Sequence, residues 1–172
     1  MNPSPNQHMK IRAATIKDAQ AMIAVKHAAV FDVGSENYPP DQLNQWAGHL
    51  DQAHIALLEQ RVEECTMVFN VATIQDMVMG YCALDLDTGE VGGPYVRPDH
   101  GREGIGSRLL ESIEAYASEH QVHHVFAESP ANVSGFFMRN EFSMVGPSQK
   151  RLLGGGTLET SRVEKAVGTS PP

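Results

Sequence analysis

The fold can be inferred from residues 96–110, which read VRPDHGREGIGSRLL. A strand ends at Val96, a glycine-rich turn follows, and a helix begins whose apolar side chains recur from Ile105 at i, i+4, i+5, i+8, i+11 and i+12. The first turn of a helix presents unpaired N–H groups and the positive end of the dipole, and glycines let a ligand approach the backbone. The segment therefore predicts a pyrophosphate site, with Arg102 and Arg108 adding charge at its rim.

Two common phosphate-binding motifs do not match this loop. The spacing is not GxxxxGK[ST], which excludes a Walker loop, and Leu109 stands where GxGxxG would need its last glycine. Only one βαβ-like passage surrounds the loop, so dinucleotide binding is disfavoured. A glycine-rich turn before an ordinary helix remains the alternative interpretation of the loop alone.

Periodicity along the chain predicts alternating blocks of strands and helices. Thr15 and Asp18 have the spacing of a capping box and begin a first helix that runs to about Phe31. The order predicts a mixed α/β protein with a largely antiparallel sheet. The predicted strands are Lys10–Ala14, Met67–Ile74, Met77–Leu86, Glu90–Val96, Val122–Glu128, Phe142–Val145 and Leu158–Val167, and the later helices are 41–48, 54–60, one beginning near Ile105, and 131–140.

Composition limits the class of protein. The chain has 172 residues, of which 41% are hydrophobic, and this is the size of one domain. We expect a loose arm at residues 1–8, a domain at residues 9–167 and a disordered tail at residues 168–172. The net charge of −8 argues against nucleic-acid binding. No apolar run approaches the ~20 residues of a membrane span, and no signal core precedes Lys10, so the sequence predicts a cytoplasmic protein without a membrane partner.

Several segments together resemble the GNAT superfamily of N-acetyltransferases. The coenzyme loop of that family has the pattern [Q/R]-x-x-G-x-[G/A] after a strand that ends in a Val-x-Pro-like turn, and this chain supplies Val96-Arg97-Pro98 and Gly104-Ile105-Gly106. Residues 11–14 with Asp18, the pair Gly80-Tyr81, and the segment 136–142 (FFMRNEF) are similar to further family segments in the same order. The resemblance covers roughly residues 9–167.

The resemblance implies a particular fold. It is a central, mostly antiparallel sheet of about six to seven strands, splayed in the middle and flanked by helices on both faces. Pro94 cannot donate to a ladder, so it marks a bulge or the splayed edge of its strand. Three positions depart from the family pattern: Gly101 stands at the Gln/Arg position, Phe137 replaces the usual tyrosine, and Glu141 replaces a glycine.

The resemblance also implies a function and a co-substrate. An acetyl-CoA-dependent N-acetyltransferase would transfer acetyl directly to a primary amine of a small molecule or peptide in a ternary complex, without a metal. A non-catalytic acetyl-CoA-binding regulatory domain is the alternative, motivated by Phe137 and Glu141. The last hairpin could pair across a homodimer. The expected coenzyme-binding residues are Tyr95, Val96, Gly101, Arg102, Glu103, Gly104, Ile105, Gly106, Ser107, Arg108, Asn132 and Phe136.

The candidate catalytic residues are Glu90, Tyr95 and Ser129. Glu90 begins the splayed strand and is the candidate base for the amine proton, although a solvated carboxylate is a simpler reading. Tyr95 is a candidate acid or a packing residue. Ser129 could help the thiolate leave or cap the helix at Ala131.

The candidate acceptor pocket contains Tyr38 and Trp46, with Gln42 between them. The two aromatic residues follow the first helix, and each could equally be part of the core. A third hypothesis is a metal site at His120, His123 and His124, but the i, i+4 pair serves a metal only if both residues share a helix. Val122 already marks the exit from that helix.

Overall fold

The computed structural model describes residues 8–152 and 154–168. The predicted arm and tail lie outside this part of the chain, apart from His8 and Gly168. The described strands are β1 (Lys10–Ala13), β2 (Met67–Ile74), β3 (Met77–Asp85), β4 (Val91–Val96), β5 (His124–Ser129), β6 (Ser143–Arg151) and β7 (Thr157–Ala166). The described helices are α1 (Ala19–Gly34), α2 (Pro40–Ala47), α3 (Gln52–Glu64), α4 (Ile105–Glu119) and α5 (Ser134–Arg139).

The described strands form two antiparallel sheets that touch at one point. The first has the order β1-β2-β3-β4 and the second the order β5-β7-β6. A single parallel bridge between Glu90 and Phe126 joins them at the start of β4 and β5. The two strands then diverge without further pairing among the described residues. This confirms the expected mixed α/β fold, with four strands on one side of the split and three on the other.

A bulge occupies the middle of β4, where the sequence predicted one at Pro94. Tyr81 of β3 pairs with Tyr95, and Ala83 pairs with Gly92. Cys82 therefore lies opposite two residues of β4, Gly93 and Pro94. An extra residue in one strand bends that strand and increases its twist. The bulge thus lies on the part of β4 that departs from β5.

Helices cover both faces of the first sheet because alternate residues of its strands point to opposite sides. Cys82 and Leu84 of β3 belong to a cluster around α4, which we call the α4 cluster. Tyr81 and Ala83 belong to a second, the α1 cluster. A third, the α2 cluster, joins α1 and α2 to β7 through residues such as Leu158. Fully buried aliphatic side chains of this kind contribute about 1.5–3 kcal/mol each.

The elements that differ most in extent from their predictions are β6, α3 and α5, and α1 ends at Gly34 rather than near Phe31. β6 continues to Arg151 rather than ending at Val145, and it pairs with β7 along its length. Pro147 lies within β6, but β6 is the edge of its sheet, where proline is tolerated, and the register shifts between Met144 and Gly146. In addition, α3 is longer than predicted and α5 is shorter.

The capping box predicted at the start of the first helical segment is present. The Asp18 carboxylate accepts hydrogen bonds from the backbone N–H of Thr15 at 2.8 Å and from both terminal nitrogens of Arg12 at 2.7 and 2.9 Å. The arginine hydrogen bond is the largest of the influences that lower the pKa of Asp18. The buried carboxylate therefore ties β1 to the helical segment that leads into α1.

Replacing Asp18 with asparagine should lower the free energy of unfolding by about 1–2 kcal/mol, because one partner of a charge-assisted hydrogen bond is lost while Arg12 stays partly exposed. The pKa of Asp18 is lower in the folded state than its value of about 3.9 in the unfolded chain, so the ionised carboxylate stabilises the fold at pH values above about 3.9. This stabilisation is lost as the pH falls through the folded-state pKa. Urea unfolding from pH 3 to 8 should show a difference in the free energy of unfolding between wild type and the variant, and this difference should shrink below about pH 4. Asp87→Asn, an exposed carboxylate in the turn after β3, is the control. A pH-independent difference would contradict the assignment.

Candidate active site

A cavity of about 780 Å³ opens where the two sheets part. Residues of β4 and β5 line it on the two sides of the split, among them Tyr95 and Glu128. Its apolar lining comes from two clusters: Ile105 and Phe137 belong to the α4 cluster, while Trp46 belongs to the α2 cluster. The cavity is therefore a slot that connects the start of α4 with the region between α1, α2 and β7.

The start of α4 supplies backbone donors to this slot. Gly104 is the residue before the helix and has φ of +80°, a left-handed conformation that favours glycine. The N–H of Arg108 makes the first helical hydrogen bond, to the Gly104 carbonyl at 3.1 Å. The N–H groups of Ile105, Gly106 and Ser107 precede that bond and have no acceptor within the helix, and all three residues line the cavity. The arrangement suits an anion.

Gly106 provides the close approach that the loop motif predicted. A Cβ atom at this position would lie 3.2 Å from Cε2 of Phe136 and 3.5 Å from Cγ of Pro94. Contacts near 3.2 Å are tighter than ordinary van der Waals packing, so a side chain here would have to displace the neighbouring ring or enter the slot. The space above the first turn of α4 is therefore kept open by the absence of a side chain.

The charged residues of the preceding loop are partly paired with one another. Arg97 donates to both oxygens of Asp99, at 3.0 and 2.7 Å, and this hydrogen bonding lowers the pKa of the exposed Asp99 carboxyl. His100 lies 3.2 Å from Glu103. Arg102 adopts φ of +64° and lines the cavity. This end of the slot therefore combines backbone donors with at least one cationic side chain, as an anionic ligand requires.

The other end of the slot carries charged side chains on an apolar background. Glu128, at the end of β5, is only 11% exposed. It accepts a hydrogen bond from Thr160 at 3.1 Å, and Arg162 lies 3.5 Å away. Lys150, on β6, donates to Glu90 at 3.1 Å. The pKa of Lys150 is raised: burial acts to lower it, but the nearby Tyr95, Glu90 and Glu128 outweigh that effect.

Aromatic residues shape the slot between these ends. The ring of Tyr95 lies 5.3 Å from that of Tyr81, whose pKa is raised mainly by burial, and the ammonium of Lys26 lies 5.7 Å from the Tyr95 ring centroid. Phe137 is buried and packs edge-on against Phe136 and Phe142. Position 137, where the resemblance leads us to expect a tyrosine hydroxyl, therefore presents an apolar ring.

The structure brings most of the predicted coenzyme residues together. Those that line the cavity are Tyr95, Val96, Gly101, Arg102, Gly104, Ile105, Gly106, Ser107 and Phe136, with Trp46 from the predicted acceptor pocket. The other predicted residues lie outside the lining: Glu103, Arg108, Asn132, Glu90, Ser129 and Tyr38.

The predicted residues outside the lining have identifiable structural contacts. Ser129 is fully buried; its hydroxyl donates to the Pro130 carbonyl at 3.1 Å and accepts from Ser134 at 3.2 Å. The Tyr38 hydroxyl donates to the Glu159 carbonyl at 2.8 Å and accepts from the N–H of Ala131 at 3.2 Å.

Asn132 and Gln42 also make hydrogen bonds to the backbone. The Asn132 amide donates to the Val33 carbonyl, and the Gln42 amide donates to the Thr157 carbonyl at 3.3 Å. These contacts join the α1–α2 region to the second sheet.

Several charged residues of the slot were not among the predicted site residues: Asp32, Arg97, Arg139, Glu128 and Lys150. The sequence places Glu128 at a strand end on the expected far side of the slot but gives it no catalytic role, and Lys150 falls in the predicted loop between the last two strands. No local motif marks either of them. The one usable signal was the alternation along β5, in which Val125 and Ala127 are buried in the α4 cluster, so that Glu128 points to the opposite face of the sheet.

The three neighbouring histidines lie on different elements. His120 is the residue after α4, and its ring stacks on Tyr116 at 3.9 Å. His124 begins β5 and lies 3.5 Å from Glu164. Among residues 8–152 and 154–168, no group of three or more His, Cys, Asp or Glu side chains is placed to hold a metal ion.

These features define a class of fold in which two antiparallel sheets part beside the glycine-rich start of a central helix. The chain belongs to the GNAT acetyltransferase family, because the family model described as an acetyltransferase (GNAT) domain matches residues 35–152, more than half of the chain. No curated protein sequence matches it significantly. In the part of the chain that the structure describes, no helix is long and apolar enough to cross a membrane.

Solved structures share this fold at low sequence identity. A GCN5-related N-acetyltransferase from Rhodopseudomonas palustris aligns with a TM-score of 0.80 and 20% identity over 94% of this chain and 97% of its own. The PaiA N-acetyltransferase from Thermoplasma acidophilum, in complex with coenzyme A, aligns with a TM-score of 0.71 and 15% identity over 93% of this chain and 99% of its own. A ribosomal-protein-alanine N-acetyltransferase from Brucella melitensis aligns with a TM-score of 0.66 and 24% identity over 92% of this chain and 99% of its own.

Proposed function

We propose that this protein transfers an acetyl group from acetyl-CoA to a primary amine of a small molecule or peptide, with both substrates bound at once. The observation that carries the proposal is the single slot that connects the donors at the start of α4 with the carboxylate of Glu128. Family membership and the similarity to the PaiA N-acetyltransferase, solved in complex with coenzyme A, support it. The cytoplasmic location and the homodimer stay predictions.

The coenzyme pyrophosphate fits the open first turn of α4. The N–H groups of Ile105, Gly106 and Ser107 provide donors, and Arg102 adds a positive charge. Phe136 provides an apolar surface beside Gly106. We assign the remaining predicted coenzyme residues, including Asn132, to the rim of this site.

The free edge of β4 suits the pantetheine arm and the thioester carbonyl. Tyr95 and Val96 pair with β3 on one side, and β4 has already left β5 on the other. Unpaired backbone groups on a strand edge bind an extended ligand, and an N–H aimed at a carbonyl oxygen stabilises the charge that develops there during transfer. The splay of the sheets is therefore the feature that creates this binding edge.

The transfer requires a neutral amine and a place for its proton. The bound coenzyme supplies the acetyl group: a carbon–nitrogen bond forms to the amine as the carbon–sulfur bond breaks, and the thiolate then gains a proton. An amine with a pKa of about 10.4 is protonated at neutral pH, so a base must accept its proton. Two carboxylates line the slot, Asp32 and Glu128. Asp32 is exposed on α1, whereas the Glu128 side chain is only 11% exposed, and we assign the role of base to Glu128.

The other predicted catalytic residues have different relations to the slot. Glu90 is hydrogen-bonded to Lys150 and is not itself a lining residue, so we assign it to the support of that lysine rather than to the base. Tyr95 carries a hydroxyl on a lining residue and is the candidate proton donor to the thiolate, since Phe137 has none. Ser129 is buried and hydrogen-bonded, so a role in proton transfer would require it to move.

The proposal is tested by incubating the full chain with acetyl-CoA and a panel of primary amines that includes amino acids, polyamines and short peptides. We expect release of free coenzyme thiol that depends on at least one amine, with a matching acetylated product by mass spectrometry. Thiol release that is independent of the amine would indicate hydrolysis and would contradict transfer.

One observation favours the alternative of a non-catalytic coenzyme-binding domain. Phe137 presents a buried aromatic ring where a tyrosine hydroxyl would otherwise protonate the leaving thiolate. The alternative predicts acetyl-CoA binding at the start of α4 without turnover on any amine. The same panel, run beside a calorimetric titration of acetyl-CoA, separates the two functions.

A further inference from the structure

We propose that the acceptor is a small amino-acid-like molecule whose carboxylate is bound by Lys150. The inference rests on the proposed function, because it assigns the substrate class of the same slot. Lys150 lines the cavity from β6, and its side chain is 28% exposed. It thereby places a cation at the end of the slot that lies away from the coenzyme loop.

The ammonium of Lys150 has donors to spare. It carries three N–H groups, and among the described residues its one hydrogen-bond partner is Oε1 of Glu90 at 3.1 Å. Partly buried donors without a partner favour binding of an acceptor group from a ligand. A carboxylate with two oxygens can bind this ammonium while Glu90, which is itself partly exposed, stays in place.

The charge of Lys150 persists under ordinary conditions. Its pKa is raised because Tyr95, Glu90 and Glu128 outweigh the effect of burial. A permanently charged ammonium favours an anion and repels a second cation on the ligand. The overall charge of −8 favours a cationic partner in general, but the charges that line the slot bear more directly on the ligand.

A carboxylate of the opposite sign lines the same slot. Glu128 can receive the amino group of the acceptor, and its own hydrogen bonds from Thr160 and Arg162 hold the carboxylate in place. The apolar surfaces of Trp46 and Leu158 lie in the same lining. An amine, a carboxylate and an apolar substituent are the three groups of a small amino acid, and the slot offers a partner for each.

The test uses matched pairs of acceptors: an amino acid and the carboxamide of the same amino acid, each with saturating acetyl-CoA. We expect wild-type protein to prefer the carboxylate in kcat/KM by about 10- to 100-fold, the range of one hydrogen bond to a charged group. Lys150→Met should reduce that preference to within about threefold, mainly by raising KM for the carboxylate. Lys150→Arg should retain a large part of it, since the charge is kept.

The control is Lys17→Met, which removes an exposed lysine remote from the slot and should leave the preference unchanged. Circular dichroism and thermal unfolding establish that each variant is folded, and Lys150→Gln is a second neutral variant in case the methionine perturbs packing. A wild-type preference for the carboxamide, or an equal loss of activity on both acceptors in Lys150→Met, would overturn the proposal.

A binding measurement separates this proposal from the proposed function. Calorimetry on the protein saturated with free coenzyme A reports acceptor binding without turnover. We expect wild-type protein to bind the amino acid but not its carboxamide, and we expect Lys150→Met to lose binding of the amino acid. This result would support the carboxylate site even if no acetyl transfer were found. Failure of wild-type protein to bind any of the carboxylate acceptors would overturn it.

Discussion

Gly106→Arg should abolish acetyl-CoA binding, with a loss of affinity of at least about 100-fold. A Cβ at position 106 already meets Phe136 at 3.2 Å and Pro94 at 3.5 Å, so the long side chain must leave through the slot. There it occupies the space above the N–H groups of Ile105 and Ser107, where the pyrophosphate is expected. Isothermal titration calorimetry of acetyl-CoA with the folded variant measures the effect.

The matched control is Ala115→Arg, which places the same side chain on the exposed face of α4, away from the slot. It changes the net charge of the protein and of the helix by the same amount, so it removes long-range electrostatics from the comparison. The control should bind acetyl-CoA as wild type does. Unchanged affinity in a folded Gly106→Arg variant would refute the assignment of the pyrophosphate site.

Glu128→Gln should lower kcat by about 100-fold or more while acetyl-CoA affinity stays within about twofold of wild type, because a positioned base contributes roughly 10²–10⁴ to the rate. Glutamine keeps the shape of the side chain and can still accept the hydrogen bond from Thr160, but it cannot take the proton of the amine. Steady-state kinetics with a turned-over amine, beside a coenzyme titration, give both quantities.

The comparison variant is Glu90→Gln, since both residues approach Lys150 but only Glu128 lines the slot. We expect its kcat to fall by less than about tenfold, as for a group that acts through a neighbour. Thermal unfolding must be compared as well, because Glu128 also contacts Arg162. A larger loss of kcat in Glu90→Gln would restore Glu90 as the base and remove that role from Glu128.

The arrangement of the proposed coenzyme end of the slot could be predicted because its elements are consecutive in the sequence. The strand that ends at Val96, the turn through Gly104 and the helix from Ile105 occupy consecutive residues, and helix geometry alone places their N–H groups on one surface. The bulge at Pro94 is local in the same sense, because the missing N–H excludes regular pairing.

The charged cluster at the proposed acceptor end could not be predicted because its residues meet only through tertiary structure. Lys150 and Glu90 are far apart in the chain, and their contact depends on β6 continuing past Pro147 along β7. The sequence predicted a strand that ends at Val145 and a loop from there to the last strand. Ser129 lies at a strand end, as predicted, but its side chain is fully buried. That burial depends on tertiary packing, which no local sequence pattern encodes.

The central claim, direct acetyl transfer within the slot between β4 and β5, is tested most directly by the rate of thiol release with each substrate alone and with both together. The account predicts release only when acetyl-CoA and an amine are both present, with one acetylated amine formed for each thiol. Absence of release with every amine of the panel, in protein that binds acetyl-CoA, would contradict it and would leave a coenzyme-binding domain in its place.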